Sequence, residues 1–469
     1  MKKVNGSVSV FLALTVTMIL SFCMVLIESA RENTMLLKAD VIFDTGVQCL
    51  LAEYHSQLWE EYDLLYVDAG YGMQLPDYKL VKAHLRGYID NNLSYDNYGW
   101  LALDYTDAQF INVSLATDYE GTDFYLQALE AAKESVGVTY IEMLLDRLEQ
   151  LDSMGYLEST MHHDISQVHQ AIEDVNGTEV EVKEAVWGVD DKGQPVLLEE
   201  AEYETVCIDN PLDNVDGGNL LLRQILDEED IPSGVRMNMD GFVSQRTLAV
   251  GSAQEGREDT GGLWNKAFFC KYIMDHFSCY TDRADTIQSC SIQCLTEYMI
   301  GGKSSDVANL EVIVAKLLVI RELDNYMCLL QDEVRQAEAE AIGMGIATAA
   351  YVPWLSPVIK QALLLYWAYE ESVEDLKVLF QGGSIPLAKS LHTETFSDLT
   401  VDYEAYLVLL LLLQQKEVLS MRAMDIIELD IRQEQEHFRM DGCISRGTLT
   451  GTFTDTYDKT YTITKQLQY

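Results

Sequence analysis

The sequence predicts a mostly helical α+β protein. We expect an N-terminal transmembrane helix that continues into a stalk helix, then a large extracytoplasmic body with a small sheet that includes the C-terminal strands. Three observations predict this class. Residues 8–27 contain neither charge nor proline. Apolar residues recur at three- and four-residue steps along residues 28–65 and much of 263–440, which is the period of an amphipathic helix. Residues 443–469 are rich in Thr and Tyr and alternate in polarity, which is typical of strands.

The first element is a membrane helix. From Val8 to Ile27 a helix rises about 30 Å, which is the thickness of one hydrocarbon core. Lys2 and Lys3 precede this segment, whereas mixed charges follow it at residues 28–32. Because Lys and Arg beside a span favour the cytoplasmic side, we expect a cytoplasmic N-terminus and a chain that lies mostly outside the cell.

Processing of this segment has three alternatives, of which we favour a retained anchor. Gly6 and Ser7 ahead of an apolar helix resemble a type IV prepilin peptidase site, so trimming after Gly6 is the second alternative. The glutamate that pilins usually carry at the fifth mature position is replaced here by Phe11. Ordinary signal cleavage is the third, but the apolar core is too long and Glu28 stands where a small neutral residue is needed.

Charge and composition limit the partners of the body. Hydrophobic residues make up 48% of the 469 residues, which is enough for a sizeable core. The net charge is −44, from 32 basic and 76 acidic residues. A field of this sign repels phosphate backbones, so we expect no nucleic-acid partner. The membrane is a partner through the anchor, and the acidic surface is typical of a soluble exported body.

The chain divides into segments by pattern. Residues 100–120 carry a strand signal, with which the C-terminal strands are expected to pair, and Gly46 is a candidate bend in the stalk. We predict a cytoplasmic N-terminus (1–7), a transmembrane helix (8–27), a stalk helix (28–65), an α+β region (66–262) with a loop-rich part (208–262), a helical region (263–440), and C-terminal strands (441–469) that pack on residues 100–120.

Residues 341–359 are uncharged and suggest a second membrane span. Two glycines, Gly343 and Gly345, and two prolines, Pro353 and Pro357, interrupt the segment, and Lys360 closes it. Proline breaks helices, so a helix, a break and a second helix fit better than one span. We therefore predict that both helices are buried inside the body.

Motifs for catalysis or metal binding are absent from the sequence. His162, His163 and His169 form the one histidine cluster, but the i, i+4 pair with a third ligand that zinc sites use is missing. Cys290 and Cys294 are four residues apart with no histidine at matching spacing. No nucleophile elbow, P-loop or dinucleotide fingerprint occurs. We predict no enzyme activity, no catalytic or metal residues and no cofactor, and the sequence indicates no particular small-molecule ligand.

Several stretches together resemble one family over nearly the whole chain. They are Gly6–Phe11, Glu28–Arg31, Leu51–Tyr54, Leu58–Tyr62, Leu115–Asp118, Glu297–Ile300, Gly302–Asp306, Arg321, Trp367–Tyr369, Glu371–Ser372, Pro386–Leu387 and Met424–Ile427. The family has no known function. The family that this chain resembles occurs in membrane-anchored, exported proteins of Gram-positive bacteria that are associated with tight-adherence (Tad) type pilus and secretion systems. The resemblance implies a pseudopilin-like role with pilus or secretion-system proteins as partners, and it supplies no catalytic residues.

Two function classes follow. The first is a structural or assembly component of a Tad-like pilus or secretion apparatus, which the anchor and the resemblance favour. The second is a cell-surface module that binds or senses a ligand, which a deep pocket lined by convergent polar groups would favour.

Overall fold

The structure is a computed structural model that describes residues 6–72, 77–95, 97–135, 142, 145, 161, 163–189, 194–214, 219–285, 292–387, 389 and 400–469. In chain order its elements are α1 (Gly6–Leu51), α2 (Ser56–Tyr62), β1 (Val67–Asp68), α3 (Tyr78–Ser94), β2 (Leu103–Leu115), α4 (Asp118–Ser135), α5 (163–175), β3 (Glu179–Lys183), β4 (Val186–Val189), β5 (Pro195–Glu199), β6 (Glu202–Thr205), α6 (Asn219–Ile225), α7 (Gly262–His276), α8 (Leu295–Gly301), α9 (Asp306–Gln331), α10 (Glu333–Ala349), α11 (Ser356–Phe380), β7 (Ile385–Pro386), β8 (Thr400–Val401), α12 (Tyr403–Leu413), α13 (Lys416–Ile431), β9 (Cys443–Asp455) and β10 (Thr460–Gln468).

The described residues form two compact units, and the chain passes between them more than once. Unit 1 takes its residues from Met1–Ala131, Asp240–Thr260 and Lys416–Tyr469. Unit 2 takes its residues from Ala132–Met239 and Gly261–Gln415. The predicted class is confirmed, since helices predominate and a small sheet contains the C-terminal strands.

The sheet of unit 1 is built around β9. This strand pairs antiparallel with β10 along one edge and with β2 along the other, and β1 extends the β10 edge. Phe453 lies opposite Tyr461 in one pair and opposite Tyr105 in the other, which places three aromatic residues side by side. The pairing of β9 with β2 joins the C-terminal strands to the 100–120 region.

Helix α1 is one uninterrupted element of two halves. Along the described part of residues 8–27 nearly every side chain is exposed, whereas Arg31, Met35, Ala39 and Phe43 are buried. The second half packs on the sheet and on α3 and supplies the core of unit 1. Residues 28–51 are therefore one wall of the body, and they do not form a free stalk.

Two details of the predicted stalk are wrong. The helix ends at Leu51, because Tyr54 pairs with Val67 in a β-bridge and His55 then caps α2, its Nδ1 accepting the Leu58 N–H at 3.3 Å. Gly46 marks no bend. A Cβ there would lie 3.0 Å from Ile89 Cγ1, so this glycine permits close packing of α3 on a continuous helix.

Unit 2 is mainly helical. Helices α9 and α11 pack along each other, and α10 packs on α11, around a core that includes Ile359, Leu364 and Leu365. Helix α9 begins after Ser305, whose Oγ accepts the Ala308 N–H at 3.4 Å as an N-cap. Two small ribbons, β3 with β6 and β4 with β5, lie within the predicted α+β region of residues 66–262.

Residues 341–359 contain the predicted break, between the end of α10 and the start of α11. The prediction that both helices are buried is wrong for α10, of which only Ala339, Gly343 and Ala347 are buried. Small side chains let two backbones approach closely but bury little of the helix surface, so the rest of α10 stays exposed. Among the described residues, only α1 is long and apolar enough to cross a membrane.

Candidate functional site

The proposed processing residues lie at the very start of α1. Gly6 is the first residue of the helix, and Ser7 follows it. The exposed apolar half begins directly afterwards, at Val8. Cleavage between Gly6 and Ser7 stays a prediction.

A charged cluster fixes α1 to the C-terminal hairpin near the end of the exposed apolar half. Arg31 Nη2 donates to Asp455 Oδ2 at 3.0 Å and to Glu28 Oε1 at 2.9 Å. The Arg31 guanidinium also lies 4.5 Å from the centre of the Tyr457 ring, and Nη1 donates to the Trp100 carbonyl. Burial alone would raise the pKa of Asp455, but the N–H groups of its own turn and Arg31 hold that pKa below its usual value. The cluster joins α1 to the C-terminal hairpin of β9 and β10.

Unit 2 contains a fully buried arginine on α9. Arg321 donates from Nε and Nη2 to Asp375 Oδ2 at 3.0 and 2.8 Å. Its Nη1 donates to the carbonyl oxygens of Pro386 and Leu387, and also to Tyr406 Oη at 3.2 Å. Burial by itself would lower the pKa of Arg321, but the surrounding phenol and carboxylates raise it, so the guanidinium stays charged.

The hydrogen-bonded group around Arg321 also includes a partly exposed lysine, Lys389. Lys389 Nζ donates to Asn325 Oδ1 at 2.9 Å and to both oxygens of Asp375. Asp324, 3.3 Å from Arg321, accepts the backbone N–H of Lys389 at 2.8 Å. Burial would raise the pKa of Asp375, but the two cations hold it below its usual value. We call Arg321, Asp324, Asn325, Asp375 and Lys389 the arginine cluster.

A groove follows α11 beside this cluster. It consists of a cavity of about 760 Å³ and a cavity of about 740 Å³, which share Gln224 and Lys377 in their walls. Both volumes fall within the range of ordinary small-molecule sites. The charged lining residues are Arg223, Asp227, Asp230, Glu370, Glu371, Glu374, Asp375, Lys377 and Lys389.

Acidic residues outnumber basic residues in the lining of this α11 groove. Lys377 bonds Glu374 at 2.5 Å and Lys389 bonds Asp375, so these two cations are engaged by the wall itself. More carboxylates than cations line the groove, which favours a ligand that is cationic or that donates hydrogen bonds.

A buried glutamate lies behind one end of the groove. Glu297 of α8 accepts the Tyr280 backbone N–H and the Tyr403 hydroxyl on Oε1, each at 2.8 Å. Its Oε2 has no hydrogen-bond partner within the part of the chain that the structure describes. Burial raises the pKa of Glu297 to about 7. The residue is therefore a carboxyl group that titrates near neutral pH.

In unit 1, residues 240–260 run without regular structure and are held by buried carboxylates; we call this segment the strap. Asp425 of α13 accepts the backbone N–H and the hydroxyl of Ser244, at 2.9 and 2.6 Å. Arg246 of the strap bonds Glu428 and Asp441, each at 2.7 Å. Further along, Asp118 accepts the Gly251 N–H at 3.1 Å. The acidic residues of the body thus fix an otherwise irregular segment.

The histidines of the sequence cluster do not converge. His162 lies outside the described residues, His163 contacts the side chain of Gln167, and His169 contacts that of Asn210. Cys290 is also outside the described residues, while Cys294 is buried at the start of α8. Within the described ranges, no three His, Cys, Asp or Glu side chains are grouped as a metal site would require.

Many residues of the family resemblance turn out to be structural bonding partners. Arg31, Asp118, Glu297, Arg321 and Asp425 each make buried or half-buried hydrogen bonds to distant parts of the same unit. The sequence analysis missed Asp455, the partner of Arg31, and Asp375, the partner of Arg321. It also missed Lys389 and Arg246, which bond other carboxylates of the same units. In so acidic a chain no local pattern distinguishes them, since their bonds join residues that are remote in sequence.

The comparisons with known proteins found one match. A family model described as a family of unknown function (DUF5702) matches residues 201–455, more than half of the chain. No curated protein and no solved structure matches.

Proposed function

This chain belongs to DUF5702, a family of unknown function, and we propose that it is a membrane-anchored, extracytoplasmic structural or assembly component that works by contact. The observation that carries this proposal is the continuity of α1. A single helix has an exposed apolar half long enough to cross a bilayer and a second half buried in the core of unit 1. Unit 1 is thereby fixed rigidly to the anchor.

The Arg31 cluster supports the same role. A force applied to the anchor would pass through Arg31 and Asp455 into β9 and β10, and not through a flexible linker. Such a joint suits a protein that holds or positions something at the membrane. The orientation, with the body outside the cell, rests on Lys2 and Lys3.

The finer part of the proposal concerns the apparatus. We propose a pseudopilin-like role in a Tad-like pilus or secretion system, with pilus or secretion-system proteins as partners, on the strength of the sequence resemblance. A non-enzymatic role is supported by the charged groups themselves. In the Arg31 cluster, the arginine cluster and the strap, carboxylates and cations are engaged by one another and by backbone groups.

The test is removal of the anchor without damage to the core. Deleting residues 2–27 keeps Arg31 and the buried half of α1, whereas a longer deletion would unfold unit 1. We expect the truncated protein to leave the membrane fraction and to lose its partners in a pull-down after mild crosslinking. The control replaces residues 8–27 with an unrelated apolar helix of equal length, which should restore membrane location.

The pull-down separates two proposals: that the protein works by contact at the membrane, and that its partners belong to a pilus or secretion system. Recovery of pilus or secretion-platform subunits with the full chain would support the apparatus. Recovery of none, together with turnover of a small substrate by the purified protein that is lost in His163→Ala or His169→Ala, would contradict a role by contact.

A second candidate function rests on the α11 groove. Its volume and polar walls suit a small cationic ligand, which would make the protein a binding or sensing module. Thermal-shift measurements with spermidine and arginine methyl ester test this, using the full chain in detergent. We expect Glu371→Gln to weaken any shift and Glu340→Gln, at a carboxylate outside the groove lining, to leave it unchanged. Equal shifts in both variants would exclude the groove as the binding site.

A further inference from the structure

The second half of α10 and the turn after it form an exposed apolar surface. We call residues 341–355 the α10–α11 tip. Met344 is 55% exposed and Trp354 is 64% exposed, and Ile342, Ile346 and Tyr351 are also exposed. No charged residue occurs from 341 to 359, in a chain of net charge −44. The tip is thus an uncharged projection from an acidic protein.

The exposed apolar residues lie on opposite sides of α10. At about 100° per residue, Ile342 and Met344 point about 200° apart around the helix. The face between them is occupied by Gly343, where a Cβ would lie 3.0 Å from the Ser356 carbonyl oxygen, so α11 covers a narrow strip only. A helix that is apolar all round is found in a protein core or in a membrane. A flat protein partner would cover one of these sides and leave the other in water.

We propose that the α10–α11 tip inserts shallowly into the bilayer that holds α1. Lipid surrounds an inserted helix and would cover Ile342 and Met344 together. Tyr351 and Trp354 at the turn suit the interfacial layer, where aromatic rings with a polar group are enriched. Residues 341–349 rise about 13 Å, less than half of a ~30 Å hydrocarbon core, so the tip does not span.

The charged residues nearest to the tip limit how deeply it can insert into the bilayer. Anionic headgroups repel the carboxylates of this protein, and the tip carries none. The first charges below the tip are Glu340 and Lys360, whose side chains bond at 3.0 Å and stand side by side on the two helices. This pair marks the level at which insertion stops, because a charge in hydrocarbon is costly.

Because α1 already holds the protein at the bilayer, a weak affinity of the tip for lipid is enough for insertion. A body tethered to the bilayer by α1 meets that bilayer at a high effective concentration, so the tip needs little affinity of its own. This inference rests on the membrane anchoring in the proposed function, and the experiment below reports on the anchor and the tip separately.

The experiment uses nitroxide labels on the full chain in anionic and neutral proteoliposomes. Each variant keeps one cysteine: the native Cys23 in α1, Met344→Cys in the tip, or Val334→Cys. Val334 is an exposed residue at the far end of α10 and serves as the matched control. Oxygen, which concentrates in lipid, and a water-soluble nickel chelate report the surroundings of each label. We expect oxygen to accelerate the spin relaxation of the labels at positions 23 and 344, and the nickel chelate to accelerate that of the label at position 334.

The outcomes are distinct. A label at 344 that matches 334 while the label at 23 is in lipid overturns the insertion and leaves the anchor intact. A label at 344 that is shielded from both reagents shows a protein contact, such as a second copy, and also overturns it. A label at 23 in water overturns the anchor itself.

A second measurement keeps the native cysteines. Trp354 and Trp187 are equally exposed, at 64% each. Lipids brominated near the headgroup quench the tryptophan fluorescence of the full chain, and Trp354→Phe should remove the quenched component while Trp187→Phe should retain it. Equal quenching in the two variants would contradict insertion of the tip.

Discussion

Arg31 and Asp455 are 424 residues apart in the sequence, and Arg31 Nη2 lies 3.0 Å from Asp455 Oδ2. Both side chains are almost fully buried, at 2% and 0% exposure. The pair connects α1, just beyond its exposed apolar half, to the turn between β9 and β10. Unit 1 is therefore closed by a bond between the first helix and the end of β9 in the C-terminal hairpin.

We predict that Arg31→Met lowers the melting temperature of the full chain, because it leaves Asp455 buried without its cation. Asp455→Asn in the same chain should recover part of the loss. Glu28→Gln is the control, since the Glu28 side chain is 53% exposed and its loss should have a small effect. Equal effects of Arg31→Met and Glu28→Gln in scanning calorimetry would show that the buried pair contributes nothing.

Arg321→Met should destabilise unit 2 by about 3–5 kcal/mol, the usual cost of removing one partner from a buried ion pair. Arg321→Lys should recover little, because an ammonium group cannot reproduce the forked bonds to Asp375 and the loop carbonyls. Urea unfolding measures the change. Arg335→Met serves as the control: its ion pair with Glu338 is half-exposed on both sides, so a loss below about 1 kcal/mol is expected.

Replacement by alanine should change the stability of the protein in opposite directions at two glycines. Gly451 of β9 lies against the Phe43 ring, closer than a Cβ could fit, so Gly451→Ala should cost about 1–3 kcal/mol through overpacking. Gly345 of α10 has open space around it, and Gly345→Ala should stabilise that helix by up to about 1 kcal/mol. Phe43→Leu combined with Gly451→Ala should be less destabilised than Gly451→Ala alone. A harmless Gly451→Ala would mean that α1 does not press on the sheet at this point.

The stability of unit 2 should depend on Glu297 between about pH 4.5 and 7. Burial raises its pKa from 4.5 to about 7, so the folded protein holds this proton more tightly than the unfolded chain does. Stability from this group is therefore greatest below about pH 4.5, falls as the pH rises, and is lost above about pH 7. The total change is roughly 3 kcal/mol, at about 1.4 kcal/mol per pKa unit.

Glu297→Gln removes this titration while keeping an acceptor for Tyr280 and Tyr403. We expect the variant to be more stable than the wild type at pH 8 and to lose that advantage at pH 4.5. Melting temperatures of the two proteins across this range provide the test, and the difference between them cancels other titrating groups. Parallel curves would show that Glu297 does not titrate there.

The fold was predictable where local pattern decides it. The apolar run of α1 and the alternation in β9 and β10 are local patterns of the sequence, and the structure contains both elements. The end of α1 at Leu51 was not predictable, because it depends on Tyr54 pairing with Val67. The exposed sides of α10 were missed for a related reason: apolar composition indicates a preference for burial, but not which neighbour provides it.

The candidate sites were less predictable than the fold. Arg321 was singled out by resemblance alone. Its partner Asp375, and Lys389, which also bonds Asp375, carry no local signal among 76 acidic and 32 basic residues. The strap shows the same effect, since only the folded chain reveals which carboxylates meet Arg246. Bonds between distant residues depend on topology, which a single sequence does not encode in any short window.

Strand β9 pairs with β2 and packs on α1, and this arrangement has a consequence for biosynthesis. A ribosome makes α1 first and the strands that cover it last, so Met35 and Phe43 have no sheet to pack on until residue 443 and those after it have been made. Until then, the side of α1 that packs on the sheet is an uncovered apolar surface. A chain that stops early keeps that surface permanently, so a prematurely terminated product presents the signal by which proteases and chaperones recognise unfinished proteins.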